Sequence, residues 1–268
     1  MVGPISSTEE QYYRETVNDL CDLARTLCSA VAHETFAITR KGDTSPVTEL
    51  DKRIELALRA HIQSRHPLDS ILGEEFGLVE GRASGEMGRR WVIDPLDGTR
   101  AFVTGSPLWG TLVGVLRDGV PWLGAIEMPA LGQRLFASST AAAMPAEPGA
   151  DAAAELSTAR MCTTTPDKFA TDERAAFARL VASVAVYRYG GDCFNYAALA
   201  NGRCDLVVES GLAPHDFLPI VPIVEAAGGR MTDWCGKPLS ENSAGDVVAA
   251  SSRALHARAI AVLAGSEA

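Results

Sequence analysis

The stretch Arg90-Trp91-Val92-Ile93-Asp94-Pro95-Leu96-Asp97-Gly98-Thr99 runs from an apolar segment straight into two carboxylates. Trp91, Val92 and Ile93 predict a buried strand that stops at Asp94, with Asp94 to Gly98 as a rigid turn. Pro95 fixes its own φ, and Gly98 lets the backbone approach a ligand closely. Asp94 and Asp97, three residues apart in such a turn, both reach one ion cluster. Carboxylate oxygens are hard ligands suited to Mg²⁺, and two ions roughly 3.5–4 Å apart can clamp the attacking and leaving oxygens of a phosphoryl displacement. A helix beginning near Thr99 would aim its free N–H groups at the same spot, where phosphate oxygens bind. Read alone, the string also fits an Asp-rich turn closed by glycine.

Upstream, apolar residues at three- and four-residue spacing predict a core-facing helix over Glu9–Phe36, capped by Thr8, and a second over Thr48–Arg65. Between them Ile38–Pro46 is polar and reads as a loop that folds over the site. Asp69–Gly73 predicts a short strand ending in Glu74-Glu75, and Gly81–Gly88 a surface loop. Downstream, Gly110–Leu116, Val120–Glu127 and Gln133–Ala137 predict hairpin strands, the first two joined by the Asp118-Gly119 turn. Thr140–Leu156 is rich in Ala, Pro and Glu and marks the boundary between halves. Beyond it, strands near 158–163, 183–187, 205–208, 229–232 and 246–250 alternate with helices near 166–181, 192–200, 216–227 and 252–263. The expected organisation is an N-terminal α+β half over 1–139, an elaboration over 140–157, and a C-terminal α/β half over 158–268.

Composition narrows the function. The 268 residues carry 24 Lys and Arg against 34 Asp and Glu, a formal net charge of −10, and no basic run longer than Arg89-Arg90, which argues against a nucleic-acid partner. Nothing approaches the ~18 consecutive apolar residues of a membrane span, and no secretory leader is visible, so a cytoplasmic chain is expected. The six cysteines lack CxxC spacing and read as reduced thiols.

Other acids have two readings each. Asp51 fits a first-turn acid stabilised by the helix dipole, Glu74-Glu75 a solvated loop, and Asp216 an N-cap. Asp192 fits a cap and Glu209 an exposed acid at a strand end. Their order along the chain changes the weighing.

The segments Pro46-Val47-Thr48 through Asp51, Gly73-Glu74-Glu75, Trp91 through Thr99, and His215-Asp216 through Gly228-Gly229 together resemble the inositol monophosphatase superfamily of metal-dependent phosphatases. That resemblance covers nearly the whole chain and implies a layered αβαβα sandwich, a fold mixing α+β and α/β halves. It implies that Glu74, Asp94 and the Leu96 carbonyl hold a first metal ion, and that Asp94, Asp97 and Asp216 hold a second. Two or three Mg²⁺ per site are implied, with Mn²⁺ as a substitute. Thr99 and Asp51, with Glu74, would orient the attacking water, and the Gly98 and Thr99 amides would receive the phosphate. A small-molecule phosphate monoester as substrate and a homodimer as assembly complete the expectation.

Two departures point within the superfamily. After Thr99 the run is Arg100-Ala101-Phe102, where inositol-cleaving members carry a second Thr followed by Asn-Phe, and His215-Asp216 stands where Trp-Asp is usual. With Gly190 through Tyr196 and Asp205 through Leu212, these resemble the histidinol-phosphate phosphatase branch of histidine biosynthesis. Histidinol phosphate carries an ammonium and an imidazole, so its pocket should offer acids and amides, for which Asp192, Asn195 and Glu209 are the candidates, beside Asp216. His215 is expected behind the metal ligands or at the surface, since hard ions prefer oxygen. An inositol-1-phosphate or broader sugar-phosphate phosphatase is the alternative. A non-catalytic cation-binding member would be expected to lack Gly98 or Thr99.

Overall fold

Two helices come first, and their apolar stripes fix where they pack. The computed structural model describes residues 6–31, 39–40, 46–47, 49–82, 89–140 and 155–265. Helix α1 (Ser7–Val31) is capped by Ser6, whose hydroxyl accepts from the Glu9 N–H at 3.0 Å, so the cap lies two residues before the expected Thr8. Strands β1 (Thr39–Arg40) and β2 (Pro46–Val47) pair antiparallel. The rest of the loop expected to close over the site lies outside the described residues, as do 32–38, 83–88 and 141–154. Helix α2 (Glu49–Arg65) buries Leu50, Ile54, Leu58 and Ile62 at four-residue spacing. Four such side chains contribute roughly 6–12 kcal/mol of gross burial free energy, before the entropy of ordering the helix is subtracted.

Both helices cover one face of a six-stranded sheet. Its strands are β3 (Ser70–Gly73), β4 (Gly77–Val79), β5 (Arg89–Asp97), β6 (Gly110–Arg117), β7 (Val120–Met128) and β8 (Gln133–Ser138), with the short helix α3 (Thr99–Val103) after β5. The order is β4-β3-β5-β6-β7-β8, antiparallel except for the parallel pair β3 and β5. Asp118 and Gly119 have φ of 53 and 77°, the left-handed pair that a two-residue hairpin needs.

The second sheet comprises β9 (Arg160–Thr163), β10 (Val186–Tyr189), β11 (Leu206–Glu209), β12 (Arg230–Thr232) and β13 (Val247–Ala250), in the order β10-β9-β11-β13-β12. Between them run α4 (Thr171–Ser183), α5 (Cys193–Ala200), α6 (Pro214–Phe217) and α7 (Val221–Ala226), and α8 (Arg253–Leu263) ends the described chain. The alternation of strand side chains assigns the layers. Trp91, Ile93, Val113 and Val115 face α1 and α2, while Val92, Leu112 and Ile126 face inward onto α5, α7 and the inner face of the second sheet at Val207, Val247 and Ala249. Leu206, Val208, Val248 and Ala250 turn outward onto α4 and α8. The result is the five-layer αβαβα sandwich.

One expected helix, over Asp216–Ala227, is instead two short ones, because Pro219 cannot donate to a continuous ladder and Pro222 opens α7. The break has a use. Gly114 and Gly124 face each other across β6 and β7, and a Cβ on Gly124 would lie 1.9 Å from the Pro219 carbonyl oxygen. The paired glycines form a trough that seats the kink between α6 and α7 and fixes Asp216 against the first sheet. No helix among the described residues is long and apolar enough to cross a membrane.

Candidate active site

β5 does not stop at Asp94 as its sequence suggests. The strand continues to Asp97 with a bulge: Asp94 pairs with Leu112 and Asp97 with Gly110, so two β5 residues face Thr111 alone. Pro95 has no N–H for the ladder. The Leu96 N–H turns back onto Asp94 Oδ1 at 3.0 Å, and the Thr111 hydroxyl donates to the Pro95 carbonyl at 2.8 Å. The bulge therefore brings both acids to one end of the strand. Gly98 follows at φ 81°, and α3 starts at Thr99, whose hydroxyl donates to the Leu96 carbonyl at 3.0 Å.

Three other elements deliver acids to this place. The Glu74 N–H donates to the Ile93 carbonyl at 3.2 Å, so the turn after β3 sits in register beside Asp94. Asp97 Oδ2 accepts from the Cys193 N–H at the start of α5 at 2.6 Å. Asp216 is the third residue of α6, not its cap, and its Oδ2 accepts from the Ala213 N–H at 2.8 Å. Ligand atoms of Asp94, Asp97 and Asp216 lie within 4.8 Å of one another, as do those of Glu74, Asp94 and His215.

The electrostatics of this cluster call for a cation. Burial pushes the Asp94 carboxyl well up, and Glu74, Asp97, Asp216 and Asp51 push it further; burial, Asp192 and Asp216 do the same to Asp97. Like-charged buried acids are stable as anions only with a counter-charge among them. The four carboxylates, with the His215 ring beside Glu74 and Asp94, form an oxygen-rich donor set whose charge suits a hard divalent ion.

The acids form one wall of a cavity of about 730 Å³. The second sheet supplies another wall, with Thr164 and Thr165 after β9 and Glu209 and Ser210 at the end of β11; Lys168 also lines the cavity, as do Asp192 and Tyr196 from α5, with Asp192 packed beside Gly98. Glu209 is buried. Its carboxylate accepts from the Thr164 N–H at 2.7 Å and hydroxyl at 2.9 Å, and from the Thr163 hydroxyl at 3.1 Å. Burial outweighs those bonds and pushes its pKa up to about 7. Asp192 sits at φ 46°, ψ −134°, a conformation a non-glycine residue holds at a cost of about 1–3 kcal/mol. Burial raises its carboxyl to about 6, against the lowering pull of Lys168 and Arg100.

Of the residues singled out from sequence, Glu74, Asp94, Leu96, Asp97, Gly98, Thr99, Asp192, Glu209 and Asp216 line the cavity. Two do not. Asp51 is buried on α2, near enough to raise Asp94. Asn195 is 1% exposed, and a Cβ on Gly191 would lie 2.2 Å from its Oδ1. Cys193 and Tyr196, one helical turn apart, take the cavity face of α5, so Asn195 points elsewhere and packs under the Gly191-Asp192 turn. His215 is also corrected: it lines the cavity, its Nε2 3.4 Å from Asp216 Oδ1. Sequence reasoning missed Thr164, which looks like one of three loop threonines until the β9 and β11 pairing sets it beside Glu209.

Residues 10–267 match the profile of the inositol monophosphatase family. The chain belongs to that family. Membership makes it a phosphomonoesterase of a metal-dependent family. It is 38% identical over 249 residues to the bifunctional phosphatase IMPL2, chloroplastic, of Arabidopsis thaliana, a match covering 92% of this chain and 71% of that protein. It is 34% identical over 207 residues to the histidinol-phosphatase of Mycobacterium tuberculosis, covering 74% of this chain and 78% of that one. Among solved structures, an inositol monophosphatase from Zymomonas mobilis superposes with a TM-score of 0.81 at 34% identity, over 97% of this chain and 100% of that one.

Proposed function

We propose that this family phosphatase hydrolyses L-histidinol phosphate to L-histidinol and phosphate, with Mg²⁺ as its cofactor and Mn²⁺ as a substitute. The observation that carries the proposal is Glu209, a buried carboxylate on the second-sheet wall and poised to ionise near neutral pH. A buried anion of this kind pairs with the ammonium or imidazolium of histidinol, and a polyol leaving group supplies no such partner. The likeness to proteins named histidinol-phosphatase supports it.

Asp94, Asp97 and Asp216 would hold one ion, and Glu74, Asp94 and the Leu96 carbonyl another, with the His215 ring beside Glu74 and Asp94. Bound there, the ions supply Lewis-acid stabilisation of phosphoryl charge and lower the pKa of a coordinated water. The chain's own part is placement. The Gly98 and Thr99 amides receive phosphate oxygens. The Thr99 hydroxyl donates its hydrogen bond to the Leu96 carbonyl, which leaves the hydroxyl oxygen free to accept one from the attacking water. Glu74 and the buried Asp51 help orient that water for in-line attack. Asp192, flanked by Arg100 and Lys168, shapes the pocket mouth, and Asn195 supports its turn. A homodimer in the cytoplasm is the expected setting.

A second reading has its own observation. Thr164, Thr165 and Ser210 bring three hydroxyls to the same wall, which suits inositol-1-phosphate or another sugar phosphate. Phosphate release from histidinol phosphate, inositol-1-phosphate and fructose-1,6-bisphosphate, each with EDTA or Mg²⁺, separates the readings. Histidinol phosphate should be preferred and every activity should vanish in EDTA. Preference for inositol-1-phosphate overturns the substrate, and full activity in EDTA overturns the metal.

A further inference from the structure

We propose that Glu55, held by Arg59, is a positioning residue that sets Glu74 for metal binding. The inference rests on the reading that Glu74 is a metal ligand. Helix α2 carries Asp51, Glu55 and Arg59 four residues apart, so one stripe of the helix faces the turn between β3 and β4. Glu55 is fully buried and Arg59 nearly so. The Glu55 carboxylate accepts from the Glu75 N–H at 2.6 Å, the Phe76 N–H at 3.1 Å and Arg59 Nε at 2.7 Å. Arg59 Nη2 also donates to the Gly77 carbonyl.

Glu74 is therefore gripped from both sides. Its own N–H is bound to Ile93 on β5, the residue before Asp94, and the next two N–H groups are bound to one buried carboxylate. The preceding residue has to be glycine for this to happen: a Cβ at Gly73 would lie 2.1 Å from Glu55 Oε1 and 2.8 Å from Arg59 Nη2. Gly73 has no need of its freedom in φ, so the lost side chain makes room for the carboxylate. A buried ion pair costs desolvation and contributes little net stability. Its yield is geometric: the turn that carries Glu74 cannot slide relative to β5. Residues that orient metal ligands in this way typically change metal affinity 10- to 100-fold when replaced.

The test is calorimetric titration of Mg²⁺ into the metal-free full-length protein, alongside half-activating Mg²⁺ and thermal midpoint. Glu55→Gln should weaken Mg²⁺ binding about 10- to 100-fold, with kcat at saturating Mg²⁺ within a few-fold of wild type. Arg59→Lys keeps the cation and loses the fork that spans Glu55 and Gly77; it should fold and weaken binding about 3- to 10-fold, between wild type and Glu55→Gln. Ile62→Val, a core change on the same helix, should lower the midpoint without moving Mg²⁺ affinity, which separates positioning from general stability. A folded Glu55→Gln, or an Arg59→Lys, that binds Mg²⁺ like wild type overturns the inference. Glu74→Gln is the reference: if it too binds like wild type, the metal-ligand reading itself fails, whereas if it weakens binding and Glu55→Gln does not, the failure belongs to Glu55 alone.

Discussion

The two walls of the cavity hold their carboxylates in opposite ways. On the wall built by β3, β5 and α6, burial raises Asp94 and Asp97, and neighbouring acids raise them further: Glu74, Asp97 and Asp216 act on Asp94, and Asp192 and Asp216 on Asp97. On the second-sheet wall Glu209 accepts three hydrogen bonds from Thr163 and Thr164, and burial is the main force acting on it. A crowded set of anions is a place for an added cation of high charge. A single solvated-by-protein anion is a place for a monovalent organic cation. The proposed division of labour is phosphate chemistry on the first wall and leaving-group selection on the second.

Breaking the first wall should have the largest effect. Asp94→Asn removes the one carboxylate shared by both acid clusters and should lower kcat/KM on the order of 10³-fold, ~4 kcal/mol, for every phosphate ester. Metal-free Asp94→Asn should at the same time melt higher than metal-free wild type, because a buried, repelled charge is gone. A lower melting point for that variant would show that the acids are not in conflict. On the second wall, Glu209→Gln should cost roughly 30- to 1000-fold in kcat/KM for histidinol phosphate, or about 2–4 kcal/mol, with p-nitrophenyl phosphate hydrolysis within a few-fold of wild type. Asp192→Asn should cost less, about 3- to 10-fold, since Arg100 and Lys168 already face that carboxylate.

The smallest effect is on stability and depends on pH. Glu209 ionises near 7 in the folded chain and near 4.5 in the unfolded one, so the fold favours its protonated form. The contribution is full below pH 4.5 and is lost as pH rises through 7. Glu209→Gln keeps an acceptor for Thr164 and never ionises. Metal-free Glu209→Gln should thus exceed wild type by about 1–3 kcal/mol at pH 8, and the gain should fade toward pH 5. Urea unfolding at the two pH values measures it.

Most of the first wall was legible in the sequence, because a run of β-favouring residues ending in Asp-Pro-x-Asp-Gly-Thr has few structural uses. The bulge was not: it depends on which β6 residues pair with Asp94 and Asp97, and no local pattern encodes that register. Glu55 and Arg59 were hidden for a different reason. Four residues apart beside the Ile54, Leu58 and Ile62 stripe, they look like an exposed i,i+4 pair, yet α2 is buried on two faces, against the sheet and against the β3–β4 turn. The helix expected over Asp216–Ala227 failed at Pro219, whose role shows only once Gly114 and Gly124 are paired. The five layers were legible through the family resemblance; the alternation in β5, β6 and β11 accounts for them only after both sheets are known.

The division of labour between the walls is tested most directly by one quantity, the ratio of kcat/KM for histidinol phosphate to that for p-nitrophenyl phosphate, measured at saturating Mg²⁺ in wild type, Asp94→Asn and Glu209→Gln. Asp94→Asn should lower both terms and leave the ratio within a few-fold of wild type, while Glu209→Gln should collapse the ratio about 30-fold or more. A ratio that moves equally in the two variants, or that Glu209→Gln leaves unchanged, would contradict the account.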